Sequence, residues 1–147
     1  MEKERFQKYL KDRYEDQVNW YSTKASKNKN YYYIFQWIVI VISAAIPVLV
    51  ATLPKELNLI TIILSIILAI GTTALKTFKF QENWINYRTI SETLKKERHF
   101  YDAELDAYSG ASDKEALFVE RVESLISREN SLWVTTHLNK NEEEKEK

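Results

Sequence analysis

Polar side chains recur along one side of an otherwise apolar stretch that follows residue 57. Their spacings of three and four residues place them on one face of an α-helix: Asn58, Thr61, Ser65, Thr72, Lys76 and Lys79, with Leu68 as the one apolar member. In a homo-oligomer this stripe would line an aqueous pore, with Leu68 forming a hydrophobic constriction. Glu56 and Asn58 would then lie at the outer mouth, and Lys76 and Lys79 at the inner mouth.

The same stripe has a second interpretation, which the sequence leaves open. Thr and Ser hydroxyls in an apolar helix can bond to carbonyl groups of their own helix, or they can hold neighbouring subunits together. The sign of a conducted ion is open as well, because a ring of Glu56 favours cations whereas Lys55 and Lys76 favour anions.

Residues suited to catalysis or metal binding are sparse. His99 and His137 are the only histidines, and the chain has no cysteine. Glu97 and Asp102 lie near His99, but their spacing distributes the three side chains around a helix. No glycine-rich phosphate loop or nucleophile motif is present. We therefore expect no enzyme activity, no bound metal and no other cofactor. Interleaved basic and acidic residues also argue against a nucleic-acid surface.

The stripe lies on the second of two apolar runs, residues 34–53 and 59–75, which contain no Asp, Glu, Lys or Arg. A helix needs about 20 apolar residues to cross a hydrocarbon core of about 30 Å. Because only helices and closed barrels satisfy their backbone groups in lipid, the runs predict a transmembrane helical hairpin. The alternative is a buried helix pair of a soluble protein, but such helices normally keep a polar face.

Basic residues are concentrated at one end of this hairpin. The turn at 54–58 carries only Lys55, whereas the other end carries Lys24, Lys27, Lys29, Lys76, Lys79 and Arg88. Positive residues stay on the cytoplasmic side of a membrane. The pattern therefore predicts a multi-pass protein of the inner or plasma membrane, with both termini cytoplasmic and the turn outside.

Helical periodicity continues on both sides of the hairpin. Residues 1–30 predict a cytoplasmic helix that can join the first span, and Pro47 predicts a kink in that span. A heptad-like seam of aromatic residues over 76–109 predicts that the second span continues as one helix into the cytoplasm.

A further helix is predicted over 112–138, where Ser112 and Glu115 fit a capping box. Its apolar face should fold back against the cytoplasmic helices, and the charged residues 139–147 predict a disordered tail. The expected fold is all-α and forms a single domain over 1–138. It is a two-transmembrane helical hairpin whose long helices extend into a cytoplasmic helical bundle, and it is homo-oligomeric.

Two helices that leave a hairpin side by side bring opposite charges together. If Ile34 and Leu75 lie at the same depth, Lys24 comes near Glu82, Trp20 near Arg88, and Arg13 near Glu97 or Glu92. We therefore expect ion pairs that involve Arg13, Lys24, Glu82, Arg88 and Glu97. Each exposed pair contributes only about 0–1 kcal/mol, so aromatic packing should matter more.

The chain resembles bacterial proteins of domain-of-unknown-function family 4231, in the SLATT superfamily of two-transmembrane domains associated with SMODS and SLOG proteins. The similarity covers roughly Tyr9–Leu138. The resemblance rests on the following residues: Asp16-Gln17, Trp20-Tyr21, Lys24-Ala25, Asn28-Lys29, Tyr32, Ile46-Pro47, Phe78–Glu82, Trp84, Tyr87-Arg88, Leu94, Glu97, Tyr101, Phe118–Glu123 and Trp133.

The resemblance implies a membrane protein with cytoplasmic ends that forms pores as an effector in nucleotide-signalled stress or antiphage defence. Because we see no fused nucleotide-sensing domain, activation would need a separate partner or a site in the cytoplasmic bundle. The leading interpretation is an oligomeric ion channel or pore whose partners are the lipid bilayer, further copies of the chain and ions. The alternative is a membrane-anchored scaffold whose cytoplasmic bundle recruits a protein partner.

Overall fold

The structure is a computed structural model that describes residues 3–52, 54 and 58–143, with side chains described as far as Arg128. Five α-helices follow one another: α1 Lys3–Tyr9, α2 Glu15–Thr52, α3 Asn58–Phe78, α4 Phe80–Asp102 and α5 Lys114–Glu143. A π-helical turn, Leu10–Tyr14, joins α1 to α2, and a 3-10 helix, Asp106–Tyr108, precedes α5. No strand occurs in the described part of the chain, so the predicted all-α fold is confirmed.

The contacts within the chain cluster in two compact units. The bundle unit consists of Met1–Ser22 and Arg88–Lys147, and the hairpin unit consists of Thr23–Tyr87. Each unit has its own pattern of burial and its own chemistry.

The bundle unit has an aromatic core. Phe6, Tyr108 and Phe118 are almost fully buried, and the Phe6 and Phe118 rings meet edge to face at 5.8 Å. The ring of Tyr14 lies 5.3 Å from that of Phe118. Edge-to-face contacts of this kind are favoured because the positive edge of one ring meets the negative face of the other. The predicted apolar face of the last helix is therefore buried against α1, the π-helical turn and α4, where the Tyr101 ring lies 5.2 Å from that of Phe118.

The hairpin unit is held by a narrow seam between α2 and α3. Its less exposed positions recur at helical spacings of three and four: Tyr32, Phe35, Val39, Ile42, Ile46 and Leu49 on α2, and Thr61, Leu64, Leu68, Gly71 and Leu75 on α3. Val39 Cγ2 lies 3.3 Å from the position that a Cβ on Gly71 would occupy, so a glycine permits this close approach. The contact confirms the predicted antiparallel register, in which Ile34 is level with Leu75.

Away from this seam, the hairpin unit exposes its apolar side chains. Trp37, Val41 and Ile70 are 63%, 59% and 64% exposed. The helices that contain the two predicted spans are both long and apolar enough to cross a membrane. The surface of this unit is therefore better suited to lipid than to water.

The predicted helix over 76–109 is interrupted at Lys79. Helix α3 ends at Phe78, Lys79 adopts a left-handed conformation with φ 48°, and α4 begins at Phe80. The Asn83 side-chain amide donates a hydrogen bond to the Phe78 carbonyl at 3.2 Å, and the rings of Phe78 and Phe80 stack at 5.5 Å. These contacts compensate for a backbone conformation that costs a residue with a Cβ roughly 1–2 kcal/mol.

A second interruption follows Asp102, where Glu104 and Asp106 also have positive φ values of 54° and 55°. The first span, in contrast, joins the preceding helix without a break, because α2 runs from Glu15 to Thr52 and includes Pro47. The π-helical turn at Leu10–Tyr14 was not predicted.

Both ends of the last helix differ from the prediction. The α5 helix begins at Lys114, and the Ala116 amide donates to Asp113 Oδ1 at 2.9 Å. Asp113 is thus the N-cap in place of Ser112, because its carboxylate accepts the hydrogen bond of an amide in the first turn. At the other end α5 continues to Glu143, so 139–143 are helical where a disordered tail was expected. Residues 144–147 lie outside the described part of the chain.

Candidate functional site

The structure divides the predicted polar stripe of α3 into two sides. Thr61 is only 8% exposed and Leu68 is half-buried, because both belong to the seam with α2. The remaining members that lie on α3 are exposed: Asn58, Ser65, Thr72 and Lys76. The first three of these recur at every seventh residue, which corresponds to two helical turns. They therefore form a narrow exposed polar line on an otherwise apolar helix.

The hydroxyl groups of this stripe bond to carbonyl oxygens of their own helix. Thr61 Oγ1 donates to the Asn58 carbonyl at 2.7 Å, and Ser65 Oγ donates to the Thr61 carbonyl at 2.8 Å. Thr72 Oγ1 donates to the Ala69 carbonyl at 2.9 Å. The helix thus satisfies each hydroxyl proton locally, while the lone pairs of the hydroxyl oxygens remain available as acceptors.

Thr73 is an exposed polar residue that the spacing argument missed. Its hydroxyl donates to the same Ala69 carbonyl at 2.8 Å. The signal was present in the sequence, since Thr73 follows Thr72 directly, but a strict spacing of three and four residues leaves it out. The exposed polar surface near the inner end of α3 is therefore broader than predicted.

An open groove of about 360 Å³ runs beside the polar line, between α2 and α3. Thr61 and Ser65 are its polar members, and the other lining side chains are apolar, among them Ile46, Ile62 and Ala69. Ser65 therefore lies at the border between an apolar groove and the exposed polar line.

The two predicted mouths of the pore differ in what the structure describes. Glu56 and Lys55 lie outside the described residues. At the other end Lys76 is exposed, and no described carboxylate forms an ion pair with it. Lys79 Nζ lies 3.0 Å from Glu82 Oε2 in an exposed pair. Of these two lysines, Lys76 is therefore the one whose charge no described carboxylate neutralises.

The predicted ion pairs of the bundle involve other partners than expected. The Arg13 guanidinium donates two hydrogen bonds to Glu123, from Nε and from a terminal nitrogen, each at 3.1 Å. Tyr9 OH donates to the same carboxylate at 2.9 Å. These interactions lower the pKa of Glu123, the bond from Arg13 being the largest cause. Glu92 and Glu97 were the expected partners of Arg13, because that prediction considered only two neighbouring helices and did not include α5.

Glu97 is the one buried carboxylate in the described part of the chain, with an exposed fraction of 5%. It accepts a hydrogen bond from Tyr108 OH at 2.5 Å and forms a two-point ion pair with Arg121. Arg121 also lies 3.5 Å from Asp106. Burial, followed by the bond to Glu97, raises the pKa of Tyr108 above its ordinary value. This cluster connects α4, the 3-10 helix and α5.

The remaining predicted pairs are local or exposed. Glu82 pairs with Lys79 three residues earlier, and the Lys24 carbonyl accepts a hydrogen bond from the Asn28 side chain at 2.9 Å. Arg88 is exposed. In the described residues no group of three or more His, Asp or Glu side chains is arranged to hold a metal ion.

A second groove, of about 510 Å³, lies in the bundle unit between α4 and α5. Its lining mixes apolar side chains such as Phe100 and Leu117 with charged ones, including Lys96, Glu120 and Arg121. Lys96 Nζ lies 5.0 Å from the centre of the Phe100 ring, so the lysine covers part of the aromatic wall.

No curated protein and no solved structure matches the chain. A family model described as a protein of unknown function, DUF4231, matches residues 16–116. The match includes nearly all of α2, the whole of α3 and α4, and the beginning of α5. Since the matched segment is more than half of the chain, the protein belongs to the DUF4231 family, as the resemblance predicted.

Proposed function

We propose that the protein is a membrane channel or pore, formed by several copies of the chain around an axis lined by α3. The observation that carries the proposal is the exposed polar line of Asn58, Ser65, Thr72 and Lys76 on a helix whose other exposed residues are mostly apolar. A helix that serves only as an anchor has no use for such a line, because the exposed Asn58 and Lys76 side chains and the unbonded lone pairs of the hydroxyl oxygens are costly against lipid. Contact with water or ions in a shared pathway gives the line a role.

The hydroxyl geometry supports this role. Ser65 and Thr72 direct their protons to the backbone, so a ring of these residues offers acceptor oxygens to the pathway. Lys76 would add a ring of positive charge at the inner mouth. The balance between acceptor oxygens and lysine charges would decide whether the pathway conducts cations or anions. The reversal potential of the current under a salt gradient would show which ions pass.

The constriction in this arrangement differs from the one that the sequence suggested. Leu68 faces α2, whereas Ile62 and Ala69 are exposed on the side of α3 that carries the polar line. Rings of Ile62 and Ala69 would then form the apolar segment that closes the pathway by dewetting. A smaller or polar residue at Ile62 should raise the basal ion flux.

Ion flux in liposomes that contain the purified protein tests the proposal. Ser65→Leu and Thr72→Leu should abolish flux, because each replaces an acceptor oxygen of the line with an aliphatic group. Thr52→Leu is the matched control: Thr52 is exposed on α2, and its hydroxyl also bonds to its own helix, at the Val48 carbonyl, at 2.8 Å. Absence of flux in the wild-type protein under every voltage, pH and ligand tested would contradict the channel.

The second candidate is a membrane-anchored scaffold whose bundle unit recruits a partner protein. The groove of about 510 Å³ between α4 and α5 is the observation that favours it. In that case leucine at Ser65 and Thr72 would be tolerated, whereas changes at the groove residues Lys96 and Glu120 would abolish function. Either function fits an effector in stress or antiphage defence, inserted with both termini cytoplasmic.

A further inference from the structure

The positive charge of the chain is concentrated in the hairpin unit. Thr23–Tyr87 contains six lysines and two glutamates and no other charged residue, which gives it a net charge of +4. Because the whole chain has 21 basic and 21 acidic residues, the bundle unit carries the compensating −4. The most apolar part of the protein is thus also its most basic part.

Five of these six lysines lie at one end of the hairpin: Lys24, Lys27, Lys29, Lys76 and Lys79. Ring contacts in this unit fix that placement, since Tyr31 and Phe35 of α2 lie 5.7 and 5.8 Å from Phe80 at the start of α4. The two groups of lysines therefore lie at the same end of the seam. Glu82 is the one acidic residue there, and it pairs with Lys79.

Aromatic side chains surround the same end. The Trp84 ring lies 6.4 Å from Tyr32 and 5.8 Å from Tyr33, and Lys29 Nζ lies 5.9 Å from the centre of the Trp84 ring. Trp and Tyr are enriched at the level of lipid headgroups, and lysine stems can cover apolar surface while the ammonium group reaches the headgroup phosphates.

We propose that this collar, consisting of Lys27, Lys29, Lys76 and Trp84, is a binding site for the phosphate groups of anionic phospholipids. The three lysines are exposed, and none forms an ion pair with a described carboxylate. Ammonium groups donate charge-assisted hydrogen bonds to phosphate, and lysines near a surface attract anionic lipid. The inference rests on the proposed membrane location, and it adds a preference for one class of lipid.

Trp84 provides a direct probe of the site. In a full-length Trp20→Phe, Trp37→Phe, Trp133→Phe variant, Trp84 is the one remaining tryptophan, and excitation at the red edge of the absorption band selects it over the tyrosines. Brominated phosphatidylglycerol and brominated phosphatidylcholine, compared in vesicles, then report which lipid occupies the collar. We expect stronger quenching by the anionic lipid, with a preference that falls as salt concentration rises.

The triple variant Lys27→Gln, Lys29→Gln, Lys76→Gln should lose this preference. Each lysine near an anionic surface is worth about fivefold in relative lipid affinity. The matched control replaces three exposed lysines of the bundle unit, Lys3, Lys8 and Lys11, with Gln and should keep the preference.

The outcomes separate the site from the membrane location. Equal quenching by both lipids would overturn the anionic site while leaving the hairpin in the bilayer. Quenching by neither lipid would overturn the site, and the same measurement with Trp37 as the single tryptophan would then test the membrane location by itself. An equal loss of preference in the control variant would also overturn the site, because the effect would then follow from net charge alone.

Discussion

The two units use the same kinds of side chain in opposite ways. In the bundle unit Tyr108 and Phe118 are fully buried, whereas in the hairpin unit Trp37 and Ile70 are 63% and 64% exposed. Water stabilises the first arrangement, because exclusion of apolar rings from water drives their packing. The second arrangement needs an apolar solvent around it. The difference indicates that the units are adapted to different surroundings.

Polar groups show the same contrast. In the bundle unit several of them bond between distant segments: Tyr14 OH donates to the Leu94 carbonyl at 2.9 Å, and the Ser22 and Ser91 hydroxyls are 2.7 Å apart. In the hairpin unit the hydroxyls of Thr52, Ser65 and Thr72 bond within their own helix. These hydroxyl protons are therefore satisfied within one helix, which suits a helix that crosses a membrane.

The largest effect that distinguishes the units should come from removing an aromatic ring. Phe118→Ala should lower the free energy of unfolding by about 3–5 kcal/mol, because it opens a cavity in the bundle core. Trp37→Ala in the hairpin unit should leave the bundle unit's stability almost unchanged. Thermal unfolding in detergent micelles, followed by circular dichroism, measures the stability of both variants. Equal losses of stability would contradict the difference in burial between the two units.

Removal of Arg121 should have the next largest effect. Arg121→Met leaves Glu97 buried without its cation and should cost about 3 kcal/mol, at the lower end for a buried pair because Arg121 is partly exposed. Arg13→Met is the matched control, since Arg13 and Glu123 form an exposed pair worth about 0–1 kcal/mol. The same unfolding measurement compares them, and a loss from Arg13→Met as large as that from Arg121→Met would be inconsistent with burial as the cause.

Alkaline pH should weaken the bundle unit. Burial raises the pKa of Tyr14 from 10.0 to about 12, so the folded state holds this proton more tightly than the unfolded state. The resulting stability is present below pH 10 and should be lost as pH rises towards 12. In Tyr14→Phe the unfolding midpoint should fall less steeply over this interval, and an unchanged slope would count against Tyr14 as its source.

The smallest predicted effect concerns the break between α3 and α4. Lys79→Gly should raise the free energy of unfolding of the hairpin unit by up to about 1 kcal/mol, because glycine tolerates the left-handed conformation of this residue. Lys76→Gly should lower it by about 1 kcal/mol, because Lys76 lies inside α3. Unfolding titrations in detergent would show opposite signs for the two variants; a loss in both would contradict the conformation of Lys79.

The hairpin was largely predictable because its determinants are local. Run length identified both apolar helices, and the register that places Ile34 level with Leu75 agrees to within one residue with the contact between Val39 and Gly71. The break at Lys79 was not predictable, since no glycine or proline lies there. It is stabilised instead by ring contacts, such as the one between Phe35 of α2 and Phe80 of α4.

The bundle interactions were harder to predict because they depend on a third helix. Arg13 pairs with Glu123, and Glu97 pairs with Arg121, so each pair includes a residue of α5. Two-helix geometry identified Arg13 and Glu97 as ion-pair residues but gave the wrong partners. For the candidate site, spacing identified the polar residues of α3, but only the packing with α2 separates the buried Thr61 from the exposed Ser65.

The chain has no cysteine, so single introduced cysteines can show directly whether the exposed line of α3 faces a water-filled pathway. Single Ser65→Cys, Thr72→Cys and Ile70→Cys variants in liposomes would be treated with a charged, water-soluble thiol reagent while ion flux is recorded. We expect the reagent to block ion flux in Ser65→Cys and Thr72→Cys and to leave the flux in Ile70→Cys unaffected. Block of Ile70→Cys with no effect at the other two positions would contradict this expectation.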